Sequence, residues 1–264
     1  MRTAASGTNT VAYSYLADSA LVGEIGFTNG STRRMTTSKA YDYLNRLSAI
    51  SSSAGGSNVA VFHYANDAAN QRTRITNLDN SRWVYQYDAL GQVISGKKYW
   101  SDGTPVAGQH FEYAFDDIGN RQSTKAGGDN SGGNLRPAGY SVNALNQYAS
   151  REVPSYVNVL GTASNTATVT LWGDNGSYSS TSRKGEYFRG ELYANNSTGA
   201  VWLTITNVAV LNNGGNPDIL TNATGKVLLS KTPETFAYDA DGNLTNDGRW
   251  TFTWDAENRL IRLV

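Results

Sequence analysis

Carboxyl pairs are the residues of this 264-residue chain whose spacing first suggests chemistry. Asp239 and Asp241 lie two positions apart, as do Asp255 and Glu257. On a strand, either pair would share one face at about 6.6 Å. Glycoside hydrolysis needs two carboxyls, roughly 5–5.5 Å apart in retaining enzymes and roughly 6.5–9.5 Å apart in inverting ones. Both pairs, however, sit in turn-like segments whose first Asp is expected to cap its own backbone. Glu112 and Asp116 would stand about 13 Å apart along a strand, which is too far. Glu186 and Glu191 remain as the catalytic alternative, and a glycoside hydrolase is the enzyme they would make. The leading expectation is nevertheless a non-catalytic chain.

The other chemistries have less to work with. There is no cysteine, hence no disulfide, thiolate nucleophile or cysteine zinc site. Two histidines cannot form a three-histidine metal site. His63 and His110 each lie in a strand-like stretch beside aromatics and read as neutral, hydrogen-bonded sheet residues. No HExxH, Walker or dinucleotide-type loop occurs, and GGDNSGG at 127–133 lacks the Lys and the following helix of a phosphate loop. The segment 239–247 has the alternating oxygens of a calcium loop without its twelfth-position Glu. No metal and no cofactor are therefore expected. Lys+Arg 22 against Asp+Glu 22 gives net charge +0, which argues against a nucleic-acid partner. Arg33, Arg34, Arg72, Arg74, Arg121 and Lys97–Lys98 are expected to be solvated or paired with acids. No apolar run is long enough for membrane insertion, and the N-terminal residues lack the pattern of a signal peptide.

The elements that must position these residues repeat along the chain. The unit is aromatic, any residue, aromatic, Asp, two residues, then Gly or Asn. It is clearest at Tyr85–Val93, Tyr113–Arg121, Phe236–Leu244 and Phe252–Leu260, and weaker at Lys39–Leu47, Tyr64–Arg72 and Tyr140–Tyr148. Tyr13–Leu21 reads as a degraded copy. Asp42, Asp67, Asp88, Asp116, Asn143, Asp239 and Asp255 precede by three positions Asn45, Asn70, Gly91, Gly119, Asn146, Gly242 and Asn258. An acidic or amide side chain at the first corner of a type I turn accepts a backbone hydrogen bond, and Gly or Asn three positions on tolerates the left-handed conformation. Each unit therefore predicts a hairpin bend at the end of a strand, with both aromatics on one face. Gly/Ser tips at 51–57 and 127–133 are expected to return the chain.

Consecutive bends are 16 to 28 residues apart, except for a gap of 96 between Asn143 and Asp239. Inside the gap, TATVTL at 166–171 and VWLTITNVAV at 201–210 alternate as strands, with GDNG and NNGG turns and a hairpin across RKGEYFRGEL at 183–192. The expected architecture is all-β: antiparallel hairpin repeats over 1–154, an inserted sandwich-like segment over 155–232, and a repeat pair over 233–264. The recurrent aromatics suit cross-strand ladders. Trp100, Trp172 and Trp202, near or outside strand ends, are the expected exceptions, free to stack on a ligand such as a sugar.

YDYLNRL (41–47), YDALGQV (87–93), FDDIGNR (115–121) and FAYDADGNLTNDGRWTFTWDAENRL (236–260) together resemble the RHS/YD repeat family. That resemblance implies spirals of β-hairpins closing into hollow shells. Such shells enclose a cytotoxic domain in bacterial toxin complexes and polymorphic toxins, take part in adhesion in the animal teneurins, and have been linked to carbohydrate binding. It also implies that the chain is a piece of a larger extracellular or cell-surface protein. The expected partners are other RHS-repeat segments or a second copy, through open sheet edges, and glycans.

Overall fold

The computed structural model describes residues 2–264, which form twenty-five strands and no helix. The chain divides into two compact units, Met1–Thr104 and Pro105–Val264.

In the first unit a continuous meander runs through β1 (Arg2–Ser6), β2 (Asn9–Tyr15), β3 (Val22–Asn29), β4 (Thr32–Tyr41), β5 (Leu47–Ala54), β6 (Ser57–Asn66), β7 (Arg72–Asn77), β8 (Arg82–Tyr87) and β9 (Val93–Tyr99). Each strand is antiparallel to the next. The second unit begins with the same pattern in β10 (Pro105–Phe115), β11 (Arg121–Gly127), β12 (Leu135–Val142) and β13 (Tyr148–Arg151).

The bends follow from their residues. At the first, Asn45 N–H donates to the Asp42 carbonyl (3.0 Å) and Asp42 N–H to the Arg46 carbonyl (2.9 Å). The same closure recurs at Asp67, Asp88, Asp116, Asn143, Asp239 and Asp255. The residue three positions on has positive φ in every copy, from 60° at Asn258 to 92° at Gly119. The strand register slips once just before each bend, as between Gln86 and Tyr87. This is a type I turn closed by a one-residue bulge. At Tyr13–Leu21 the bend is one residue longer, closed by Leu16 N–H on the Leu21 carbonyl.

Two expectations about the return loops are corrected. The chain is already paired strand through Ala54 and again from Ser57, so the tip at 51–57 reduces to a two-residue turn through Gly55–Gly56. The segment 127–133 is a further bend of the repeat type, in which Gly132 N–H donates to the Asp129 carbonyl and Asp129 N–H to the Gly133 carbonyl.

The interrupting segment is a two-layer sandwich built from β14 (Tyr156–Thr162), β15 (Thr168–Gly173), β16 (Tyr178–Ser180), β17 (Ser182–Lys184), β18 (Tyr187–Tyr193), β19 (Val201–Asn213) and β20 (Asn216–Leu229). One sheet has the order β14-β18-β17, the other β16-β15-β19-β20. Between them lie Val169, Leu171, Phe188, Leu192, Leu203, Ile205 and Leu229. All but Leu229, from β20, come from inward-facing positions of β15, β18 and β19, spaced by two or four as period-two patterning requires. Each buried Leu contributes about 1.5–3 kcal/mol of burial free energy. Among the described residues of the first unit, Val61 is the one apolar side chain classed with the buried core. After the sandwich, β21 (Glu234–Thr235) pairs with β13, and β22 (Ala237–Tyr238) with β23 (Leu244–Asn246) and β24 (Phe252–Trp254) with β25 (Leu260–Leu263) form the last two hairpins.

Candidate functional site

The bend carboxyls are occupied by their own backbone. Asp88 Oδ1 accepts from the N–H groups of Leu90 (2.9 Å) and Gln92 (2.8 Å). Asp42, Asp67, Asp116, Asn143, Asp239 and Asp255 take the same pair of donors, two and four residues ahead. The second oxygen is often taken as well, at Asp42 by Arg46, at Asp116 by Asn120, at Asp239 by Asn243 and at Asp255 by Arg259. The Asn120 side-chain amide holds Asp116 below the usual carboxylate range, and the backbone and guanidinium of Arg259 do so for Asp255. Burial pushes Asp42 and Asp239 upward, yet Arg46 and Asn243 bring them lower on balance. A carboxylate stabilised as the anion and saturated with donors is a poor general acid. The pairs Asp239/Asp241 and Asp255/Glu257 therefore carry no acid–base couple, because their first members are caps.

The residue before the Asp has its own task. Tyr41 donates its hydroxyl to the Val22 carbonyl (3.1 Å), Tyr87 to Arg72 (2.8 Å) and Tyr238 to Tyr148 (3.1 Å). Trp254 Nε1–H reaches the Leu244 carbonyl at 2.7 Å. Each ring thus ties its bend to the hairpin before it. Neighbouring bends also bond directly, Arg46 to the Asp67 carbonyl and Asn70, and Gln147 to the Gly242 carbonyl. Where acid partners or solvent were expected, Arg72 stacks on Tyr64 at 4.3 Å and Arg121 on Tyr113 at 5.2 Å. Arg33 does meet an acid, Glu24, at 2.9 Å.

The remaining catalytic candidates do not meet. Glu186 is exposed at the β17–β18 hairpin, whereas Glu191 lies within β18 with its side chain only 11% exposed. Glu186 lies in the turn before β18, five positions from Glu191, a span of at most about 16 Å along the chain. Glu191, one of the two residues of the catalytic alternative, has a structural role. Its Oε2 accepts from Arg136 Nη2 at 2.7 Å, and its Oε1 pairs with Arg189. Arg136 also stacks on Tyr156 at 3.6 Å.

Arg136, Tyr156 and Glu191 line a cleft of about 540 Å³ between the β10–β12 hairpins and the β14/β18 face of the sandwich. Its charged groups are already engaged: Arg151 on Glu234, Glu152 on the Gly139 N–H, Arg136 on Glu191. Tyr187 and Asn158 donate to the Ala107 and Gly108 carbonyls across the same gap. The cleft is lined largely by apolar side chains such as Phe111, Val153, Leu160 and Leu229, and its charged groups bridge the sandwich and the hairpins. Sequence reading missed Arg136 and Arg189, since neither the ring contact of Arg136 nor the 55-residue separation between Arg136 and Glu191 leaves a local signal. His110 is buried in β10 and His63 exposed in β6, on separate units. No group of three or more metal-ligating side chains is found among the described residues.

The three tryptophans differ. Trp100 is half-buried at the first corner of a bend, where Gly103 N–H donates to its carbonyl at 3.0 Å and Arg82 also reaches that oxygen. Trp172 and Trp202 stand on the outer face of the four-stranded sheet, 50% and 63% exposed, because Leu171 and Leu203 beside them point inward. Trp172 packs on Tyr178, its cross-strand neighbour, with centroids 4.7 Å apart. Trp202 lies four positions along β19 from Thr206, which is opposite Trp172, so about 13 Å separates them. The sheet therefore presents two aromatic platforms to solvent.

No family model matches the chain, and no curated protein matches it. Among solved structures it is similar to a crystal structure of TcdB2-TccC3-TEV, at 11% identity and a TM-score of 0.34. The likeness covers 96% of this chain and 16% of that one, so the chain spans about one sixth of its length. What the coordinates establish is an all-β protein of antiparallel hairpins, with bend carboxylates that cap backbone and a sandwich set between hairpins.

Proposed function

We propose that the chain is a non-catalytic scaffold of the RHS/YD type, part of a shell or cell-surface protein that encloses cargo or binds carbohydrate or protein partners. The observation that carries this reading is the use of every repeat Asp as a two-donor backbone cap, with the adjoining ring tied to the previous hairpin at Tyr41, Tyr87, Tyr238 and Trp254. Chemistry-bearing residue types are thereby turned into joints. A panel of chromogenic glycosides and esters tests it. No turnover above buffer is expected; turnover abolished by Glu186→Gln or Glu191→Gln, with the fold retained, would reverse the assignment in favour of a glycoside hydrolase.

A second reading, a carbohydrate-binding module, is favoured by the exposed Trp172–Tyr178 pair and Trp202 on one outer sheet face. Exposed rings on a sheet stack on the apolar faces of sugars. A glycan array read with wild type and Trp172→Ala tests it: binding that is lost in the variant, without hydrolysis, supports the module, and binding unchanged by Trp172→Ala and Trp202→Ala removes it.

A further inference from the structure

β20 is an edge strand, paired only to β19, and residues 216–226 are all exposed. Its hydrogen-bonding phase can be worked out. Asp174 N–H donates to the Thr204 carbonyl, so even-numbered residues of β19 face β15 and odd-numbered ones face β20. In the β19–β20 register Ile205 lies opposite Gly225 and Asn207 opposite Ala223. The N–H and C=O groups of Asp218, Leu220, Asn222, Thr224 and Lys226 therefore point away from the sheet, and no backbone bond to them occurs among the described residues.

Such an edge is a template for another strand, and proteins usually blunt it with charge. Here the two charges are of opposite sign and equidistant from Asn222, four residues to either side. Among the described residues neither Asp218 nor Lys226 is within ion-pair distance of an opposite charge, although Lys226 lies near enough to Asp174 to help lower its pKa; the acids and bases of the cleft are directly paired. In an antiparallel two-fold pairing centred on Asn222, Asp218 falls opposite the partner's Lys226, and Leu220 opposite the partner's Thr224. All five pairs are of the hydrogen-bonded kind, because only even-numbered residues direct their backbone outward. One charge alone would repel a second copy of this strand; this arrangement is self-complementary.

We infer that a second copy of this chain docks on β20, joining the two four-stranded sheets into one eight-stranded sheet across a two-fold axis at Asn222. The pairing supplies about ten backbone hydrogen bonds. It buries less than a standard interface, so the dimer is a weak one, with a dissociation constant in the micromolar range. The inference stands apart from the scaffold reading, since it uses only the sandwich edge.

Sedimentation velocity of the full chain from about 1 to about 300 μM tests it. The mass is expected to rise from 28.5 kDa toward twice that value. Lys226→Asp and Asp218→Lys each place like charges opposite one another at both ends of the strand, and each weakens dimerisation about tenfold or more. The double exchange, Asp218→Lys with Lys226→Asp, restores it to within about threefold of wild type. Both substituted positions are exposed, and circular dichroism checks that each variant keeps its strand content. A wild type that stays monomeric across the range overturns the inference. So does a dimer indifferent to the single variants, or a double exchange as weak as the singles.

Discussion

The hairpins of residues 2–104 and the sandwich of residues 156–229 are both antiparallel sheet, yet different interactions hold them. The sandwich gathers Leu171, Leu192 and Leu203, all fully buried, between two layers. The hairpins have Val61 alone in that apolar class and rely on bends, three of which, at Asp42, Asp67 and Asp88, are fixed by an Asp that accepts two backbone N–H groups. The first is specified by burial between residues distant in sequence, the second by hydrogen bonds within five residues. The contrast teaches that a change at one bend should act locally, whereas a change between the layers of the sandwich should be felt by both sheets.

The contrast can be sharpened by removing one contact at a time. Leu171→Ala leaves a cavity between the layers and is expected to cost about 2–5 kcal/mol in denaturant unfolding, with the loss confined to the sandwich. A loss below about 1 kcal/mol would mean the layers are not packed as described. Next comes Glu191→Gln, which leaves Arg136 and Arg189 facing one another across a largely buried site. It is expected to cost about 3 kcal/mol by the same assay. Gly119→Ala acts on a bend instead: φ of 92° strains any Cβ, and a loss somewhat above about 1 kcal/mol is expected, with no change in the sandwich.

The smallest effect is spread over many bends and depends on pH. Asp42, Asp116, Asp239 and Asp255 have folded pKa values below their ordinary ones. A carboxyl of that kind contributes stability that is complete above its unfolded value near 3.9 and disappears as pH falls toward the folded value. Thermal midpoints followed from about pH 6 to about pH 2 should therefore hold steady from these groups until about pH 4 and then fall. A midpoint that rises over that acid range would contradict the sign.

The bends were readable because their cause is local: Asp88 and Gly91, or Asp239 and Gly242, are three positions apart wherever they occur. Even so, Asp129 obeys the same spacing with Gly132 and was passed over, since no aromatic pair precedes it. The bends at Asn77–Ser81 and Trp100–Thr104 close in the same way but carry their acid at the third corner, Asp79 and Asp102, bonded to the second residue ahead. Alternation told Trp172 from Leu171 but not which face another layer covers. Glu191 carries no local sign of its partner because Arg136 is brought to it by pairing order rather than by sequence proximity. The open edge at β20 depends on that same order, which no short pattern encodes.

The central claim is that the bend acids are backbone caps. Carbon-detected NMR titration of the Asp42, Asp116, Asp239 and Asp255 side-chain carboxyls tests it most directly. The account predicts that all four titrate below the ordinary aspartate value near 3.9, each independently of the others. Two of them titrating at or above that value, with curves coupled to one another, would mark an acid–base pair and contradict it.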